Sequence, residues 1–290
     1  MNFLDQLRHA RLAHQSLLCV GLDPEPGRFP AHMQGRKNKT FEFCADIVQA
    51  CADVVLAFKP QIAYFSALGA EKDLERLIRH IKDVAPKVPI ILDAKRGDIG
   101  STAEQYAVEA FERYGADAIT LSPYMGLDSI TPYLKRHDKG AFLLCRTSNV
   151  GGADLQNLLV TPNDPSTQAS QHPSLRLYEH VAHQAQHRWN LNGQLGLVVG
   201  ATYPEDIERV RRQAPSLPLL IPGIGAQGGD AMRTLQAAWV NEQTPIVINS
   251  SRAVLYASGE HDFAKAARAQ ALETRALLEG SLKQHLASLP

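Results

Sequence analysis

Asp93, Lys95 and Asp98 fall within one eight-residue stretch, Ile91-Leu92-Asp93-Ala94-Lys95-Arg96-Gly97-Asp98. Side chains alternate faces along a strand, so Asp93 and Lys95 project together from the C-terminal end of the apolar run that reaches them. Asp98 sits just beyond, where the chain turns. Acids and a base gathered at a strand end need paired partners if buried, and such clusters suit proton transfer or charge stabilisation better than scaffolding. Lys59, in Phe58-Lys59-Pro60-Gln61 at the end of the preceding apolar run, extends the set to an alternating Lys, Asp, Lys array. Taken singly, Lys59 has a bland account as a snorkelling rim residue, and Asp98 has one as a turn or helix cap.

Polar groups collect at other strand ends as well. The first run ends in Gly21-Leu22-Asp23-Pro24 and the fifth in Thr147-Ser148-Asn149. The seventh ends in Pro222-Gly223-Ile224-Gly225-Ala226-Gln227-Gly228-Gly229 and the eighth in Asn249-Ser250-Ser251-Arg252. Glycines let backbone N–H groups approach an anion, and Arg252 adds a forked donor, so the last two ends read as a phosphate site. The competing account is a flexible turn beside an ordinary surface arginine.

The elements that must position these groups are eight short β-branched runs: Leu17 to Asp23, Val54 to Gln61, Pro89 to Arg96, Ala118 to Met125, Phe142 to Ser148, Leu195 to Thr202, Pro218 to Gly225 and Pro245 to Arg252. Segments of helical period separate them, such as Leu74, Leu77, Ile78 and Ile81, or Ala103, Tyr106, Ala107, Ala110, Phe111 and Tyr114. Strand then helix repeated in this way predicts an α/β fold, a (β/α)8 TIM barrel, as a single domain over residues 1–290. No Gly-x-Gly-x-x-Gly follows the first run, which argues against a doubly wound sheet. Ser101 with Glu104 predicts a capping box, and Pro204 predicts the first turn of a helix. Long loops are expected at 24–40 and 149–173, on the face where barrel active sites form; a disordered insertion is the alternative for the second.

Lys plus Arg and Asp plus Glu number 30 each, which leaves no global field for nucleic acid or an anionic membrane. Small molecules and other subunits are the expected partners. Cys19, Cys44, Cys51 and Cys145 lie in apolar surroundings without zinc-like spacing and read as reduced core thiols. Met1 to His14 has neither the unbroken apolar region nor the cleavage site of a signal peptide, and no run is long enough to span a bilayer. A cytoplasmic protein without a membrane association is expected. His180, His183 and His187 share a helical face but lack HExxH context, so a solvated face is favoured over a metal site.

Asp93-Ala-Lys95-Arg-Gly-Asp98-Ile-Gly-Ser-Thr102, together with Gly-Leu-Asp23-Pro, Phe-Lys59-Pro, Pro222-Gly-Ile-Gly-Ala-Gln227 and Ser251-Arg252, resembles the orotidine 5'-phosphate decarboxylase family, particularly its longer-chain bacterial form. The resemblance spans nearly the whole chain. It implies that Lys59, Asp93, Lys95 and Asp98 form a charged tetrad in which Asp98 enters the partner subunit's site, making a homodimer with shared active sites. It further implies that Thr102 is donated across the interface and that Asp23 and Lys59 hold the ribose hydroxyls. Pro222, Gln227, Ser251 and Arg252 fall at the phosphate grip and Ser148 at the pyrimidine contact, for which Thr147 and Asn149 are alternatives. Ser251 stands where shorter members often have glycine, which puts one backbone phosphate contact in doubt.

The implied reaction converts orotidine 5'-phosphate to uridine 5'-phosphate and carbon dioxide. The electrons left at C6 lie in the ring plane without conjugation, and the sequence carries no pyridoxal, thiamin or metal motif. No cofactor and no metal are therefore expected, and Lys95 is the group to stabilise the carbanion and protonate it. Two rivals stand beside this reading. One is a magnesium-dependent phosphosugar enzyme sharing the Asp-x-Lys-x-x-Asp pattern, and the other is a non-catalytic barrel that senses nucleotide phosphates.

Overall fold

β-branched and leucine-rich runs too short to form stable helices pair side by side and close into a barrel in the computed structural model, which describes residues 1–161, 174–224 and 230–289. The strands are β1 (Leu18–Leu22), β2 (Ala57–Pro60), β3 (Ile91–Arg96), β4 (Ala118–Leu121), β5 (Gly140–Arg146), β6 (Leu159–Val160), β7 (Leu175–Arg176), β8 (Leu195–Val199), β9 (Leu219–Pro222) and β10 (Ile246–Ser250). Eight of them form one sheet in the order β2-β1-β10-β9-β8-β5-β4-β3. Its pairings are parallel. Parallel bridges from Phe58 to Ile90 and from Gln61 to Asp93 join its two ends. The fold is the expected single-domain (β/α)8 barrel.

Buried helices wrap the outside at the expected periods. In the helix Glu71–Val84 the residues Leu74, Leu77, Ile78 and Ile81 are buried, and Ala103 and Ala107 do the same for Gly100–Val108. Pro204 opens the helix Pro204–Gln213, where its missing N–H costs nothing. The expected capping box at Ser101 and Glu104 does not form. The helix begins at Gly100, whose φ of 57° turns the chain, and Glu104 instead accepts from Lys135 at 2.6 Å and Arg136 at 3.1 Å. Two cations just past the end of the neighbouring helix Leu127–Leu134 outcompete one backbone N–H. β4 stops at Leu121 rather than running to Met125, because Pro123 has no N–H to continue a ladder.

Inside the barrel, Cys19, Ala57, Ile91, Ala118, Phe142, Val198, Leu220 and Val247 form one apolar layer. The N-terminal helix Phe3–His14 closes the layer from below. Phe3 meets the Phe142 ring edge-on at 5.8 Å and 87°, and Gly140 is required there because a Cβ would collide with the Phe3 ring. This plug was not expected from the sequence. Two residues further along each strand the side chains face the same way, so Gly21, Lys59, Asp93, Thr120, Leu144, Gly200, Pro222 and Asn249 form the next layer, at the C-terminal mouth. An apolar floor therefore carries Lys59, Asp93, Thr120 and Asn249 in the layer directly above it.

Loop 24–40 is ordered: it makes short 3-10 turns at Pro26–Arg28 and Ala31–Met33, and Phe29 stacks on Phe43 at 4.2 Å. The 149–173 loop contains a helical turn, Ala153–Gln156, and β6, which pairs antiparallel with β7; residues 162–173 lie outside the described part. All four cysteines are free and buried. Burial pushes the Cys19 and Cys51 thiols up to about 12. His180 and His183 lie on the helix Leu177–Gln184, and the His183 and His187 rings are 4.5 Å apart. Among the described residues no group of three or more His, Cys, Asp or Glu is placed to hold a metal ion. No described helix is long and apolar enough to cross a membrane.

Candidate active site

Lys59 enters the mouth from β2 and Asp93 from β3, and their charged ends meet at 2.7 Å, Nζ to Oδ2. Lys95, two residues after Asp93, returns its ammonium to Oδ1 at 2.6 Å. One carboxylate is thus held between two ammonium groups. Burial alone would raise the Asp93 pKa, but the charges and hydrogen bonds of Lys59 and Lys95 outweigh it and hold the carboxyl well below the usual range. For Lys59, burial works against the charged form, while Asp93, then Asp23, raise its pKa further than burial lowers it. The snorkelling account of Lys59 fails, since its side chain is 6 % exposed; that of Lys95 is 47 % exposed and faces the open mouth. The buried pair anchors the array, and the accessible lysine is the member free to meet a ligand.

Lys95 adopts φ 49°, a left-handed backbone that a residue with a Cβ seldom takes. The β3–β4 register shifts between Leu92 and Arg96, so the strand bulges at the lysine. Bulges re-aim side chains at barrel rims. Here the bulge lets two side chains two residues apart converge on one point, instead of standing parallel. Beneath it is Thr120, a residue that sequence reasoning missed: its Oγ1 lies 2.9 Å from Asp93 Oδ1 and accepts from the backbone N–H groups of Ala94 and Lys95, each at 3.0 Å. A polar residue at an inward position of a four-residue strand that is otherwise apolar was the available signal.

Two acceptors at the mouth lack partners among the described residues. Asp23 Oδ1 and Asn249 Oδ1 are both buried without a hydrogen bond. Buried carbonyl-type oxygens without donors are costly, and a polyhydroxy ligand would supply the donors. Asn249 was not singled out from the sequence. Gly21 makes room for Ser251 and Asn249, because a Cβ there would collide with the Ser251 hydroxyl and reach 3.2 Å from Asn249 Oδ1. The Tyr256 hydroxyl fixes the loop that carries Asp23: it accepts from Glu25 N–H at 2.7 Å and donates to the Asp23 carbonyl at 2.9 Å.

Of the expected phosphate groups, Pro222 ends β9, Ser251 follows β10 and accepts from Asn249 Nδ2 at 3.2 Å, and Arg252 is exposed at the start of the short helix Arg252–Leu255. Among the described residues no carboxylate pairs with Arg252. Gln227 lies outside the described residues. At the end of β5 the Thr147 backbone and hydroxyl are both engaged by Gln156, at 2.9 and 2.8 Å. Arg146, bonded to Asp206 at 2.8 Å, also reaches Gln156 at 3.2 Å. Thr147 is therefore spoken for, whereas no described residue hydrogen-bonds the half-buried Ser148 hydroxyl. Gly200 admits Ser148, since a Cβ there would come within 2.9 Å of the Ser148 Cβ.

Asp98 does not join the array of its own chain. Its Oδ1 accepts from Ile99 N–H at 2.9 Å, a local turn contact rather than a helix cap, since the N-cap position of the following helix is Ile99, and no described cation of the same chain pairs with it. Thr102 is exposed on the helix Gly100–Val108. Around Asp98 the surface is unusually apolar: Ile99 is 55 % exposed, Tyr124 80 % and Met125 43 %. The turn carrying Tyr124 and Met125 packs against the Asp98 loop, for a Cβ at Gly97 would lie 3.1 Å from Ser122 and 3.6 Å from Met125.

Comparison with known proteins adds to this geometry. A family model described as orotidine 5'-phosphate decarboxylase / HUMPS family matches residues 16–269. An orotidine 5'-phosphate decarboxylase of Polaromonas naphthalenivorans is 63% identical over 281 residues, covering 97% of this chain and 96% of that protein. One of Delftia acidovorans is 65% identical over 281 residues, covering 96% of this chain and 98% of the other. Among solved structures, the OMP decarboxylase of Leishmania donovani superposes with a TM-score of 0.81 at 37% identity, covering 98% of this chain and 99% of that one.

Proposed function

The chain belongs to the orotidine 5'-phosphate decarboxylase family and decarboxylates orotidine 5'-phosphate to uridine 5'-phosphate, and we propose that Lys59, Asp93 and Lys95 carry that reaction without a cofactor. The observation that carries the proposal is the carboxylate of Asp93 clamped between two ammonium groups at the barrel mouth. The C6–carboxylate bond breaks, carbon dioxide departs, and the electron pair stays on C6. The Lys95 ammonium stabilises that pair and then gives C6 its proton; the resulting amine recovers a proton from water. We assign the departing carboxylate to the side of the array beside Asp93, whose fixed charge favours the state in which that carboxylate has gone.

Remote groups supply the binding energy that holds the pyrimidine in this field. We assign the phosphate to Arg252 with Ser251, Pro222 and Gln227, the ribose hydroxyls to Asp23 and Lys59, and the pyrimidine edge to Ser148. The unpartnered Asp23 Oδ1 supports the ribose assignment, and the unengaged Ser148 hydroxyl supports the choice over Thr147. Asp98 and Thr102 are assigned to the partner's site in a homodimer, supported by the apolar surface that flanks Asp98. Tyr256→Phe leaves the Asp23 turn without its tie, and its expected effect is a rise in KM of about fivefold, equivalent to about 1 kcal/mol, with kcat nearly unchanged. Steady-state kinetics on the purified variant check this.

The magnesium-dependent alternative is disfavoured at the array itself. Both Asp93 oxygens are taken by ammonium groups, so a divalent cation there would face two like charges. The deciding measurement follows orotidine 5'-phosphate absorbance with purified protein before and after exhaustive chelation. Full turnover in chelator is expected. Activity that disappears with chelator and returns with magnesium would assign the array to a metal enzyme, and tight uridine 5'-phosphate binding without turnover would make the barrel a sensor.

A further inference from the structure

We infer that Thr120 is a positioning residue for the decarboxylation, setting the Asp93 carboxylate and the Lys95 backbone together through one hydroxyl. The inference rests on reading Lys59, Asp93 and Lys95 as the catalytic array. A threonine hydroxyl has one proton to donate and two lone pairs to accept with. Both lone pairs of Thr120 are occupied, by the N–H groups of Ala94 and Lys95 at 3.0 Å each. Its only proton therefore points at Asp93 Oδ1, 2.9 Å away. Thr120 is 1 % exposed, so water does not compete for any of these bonds.

Each bond bears on a different part of the array. The donated proton is a third contact on an Asp93 carboxylate that already meets Lys59 and Lys95, and it favours the ionised form. The accepted bonds gather two consecutive N–H groups onto one oxygen. Consecutive N–H groups of a regular strand point to opposite sides; here they converge because Lys95 has φ 49° and the ladder is broken between Leu92 and Arg96. Thr120 is thus the acceptor that makes the left-handed lysine tolerable, and that backbone turns the Lys95 ammonium back to within 2.6 Å of Asp93. Its neighbours Ile119 and Leu121 are buried and apolar, so β4 offers no other hydroxyl for the task.

Thr120→Val keeps the shape and removes the hydroxyl, whereas Thr120→Ser keeps the hydroxyl. For Thr120→Val we expect kcat to fall about 100-fold with KM changed by less than about threefold, since small displacements of reacting groups cost about that much. The split between a large loss in kcat and a small change in KM is the signature of a displaced reacting group. Thr120→Ser should return kcat to within about threefold of the parent, because the hydroxyl is what matters. A purely structural role would lower the melting temperature of Thr120→Val but leave kcat near the parent's well below that temperature. A folded Thr120→Val with the parent's kcat overturns the inference. Should that variant not fold, Thr120→Cys, which replaces the hydroxyl by a weak sulfur donor, is judged by the same criteria. Lys95→Ala runs in parallel: if it is inactive while Thr120→Val behaves as the parent, only the Thr120 inference fails. If Lys95→Ala retains turnover, the reading of the array falls and this inference with it.

Discussion

Replacing Lys95 by alanine should lower kcat by about 10⁴-fold or more while uridine 5'-phosphate still binds within about threefold of its parent affinity. The size follows from the two tasks given to one ammonium. It opposes the charge that develops at C6 and it supplies the proton, and each task alone is worth about 10²-fold or more; a loss of 10⁴ corresponds to about 5 kcal/mol of transition-state stabilisation. The asymmetry between turnover and binding follows from position. Lys95 is exposed at the mouth, on β3, whereas the product's phosphate is assigned to groups after β9 and β10. Asp93 retains Lys59 at 2.7 Å in this variant, so the buried carboxylate is not left unpaired and the barrel should fold. Stopped-time product assays together with calorimetric titration of uridine 5'-phosphate test both halves. Residual turnover near the parent rate would remove Lys95 from the chemistry, and a matching loss of product affinity would recast it as a binding residue.

The barrel and most of its mouth were legible in the sequence because both are written at short range. Runs such as Leu18–Leu22 or Ile246–Ser250 are too short for helices and too apolar for loops, and charged residues at their ends have few structural reasons to be there. Asp93 and Lys95 could be placed on one face by period alone. Thr120 could not be recognised in this way. A threonine in a strand is explained by β-propensity, and only the β3–β4 register at Leu92 and Ile119 shows that its hydroxyl meets Asp93. The left-handed backbone of Lys95 was equally hidden, since nothing in a lysine announces positive φ. Asn249 was read as part of a phosphate loop, but the alternation of β10 turns it inward beside Gly21. The N-terminal plug escaped for a further reason: Phe3 and Leu7 make an ordinary amphipathic helix, and its docking beneath the barrel is a property of the assembled floor.

Mixing Lys95→Ala and Asp98→Ala chains should restore activity that neither variant has alone. The array contributed by one chain, two ammonium groups and one carboxylate, carries one positive charge in excess. Asp98 from a second chain would neutralise it and hold the exposed Lys95 in place. Within its own chain Asp98 accepts only from the adjacent Ile99 N–H, and the adjoining Ile99, Tyr124 and Met125 offer water an apolar surface of the kind that subunit contacts bury. In the proposed symmetric dimer each site would take Lys95 from one chain and Asp98 from the other. A mixed dimer then has one site lacking both groups and one site complete. Random assortment of equal amounts makes about half of all dimers mixed, so roughly a quarter of the parent's sites are intact and about a quarter of its activity should return. The measurement is specific activity after co-refolding or co-expression, against each variant alone. If Asp98 served its own chain, every site in every dimer would lack one group and nothing would return, even though the dimer formed. A value near one quarter would therefore fix both the partnership of the chains and the destination of Asp98, and these two results come apart only if the chains exchange without recovery.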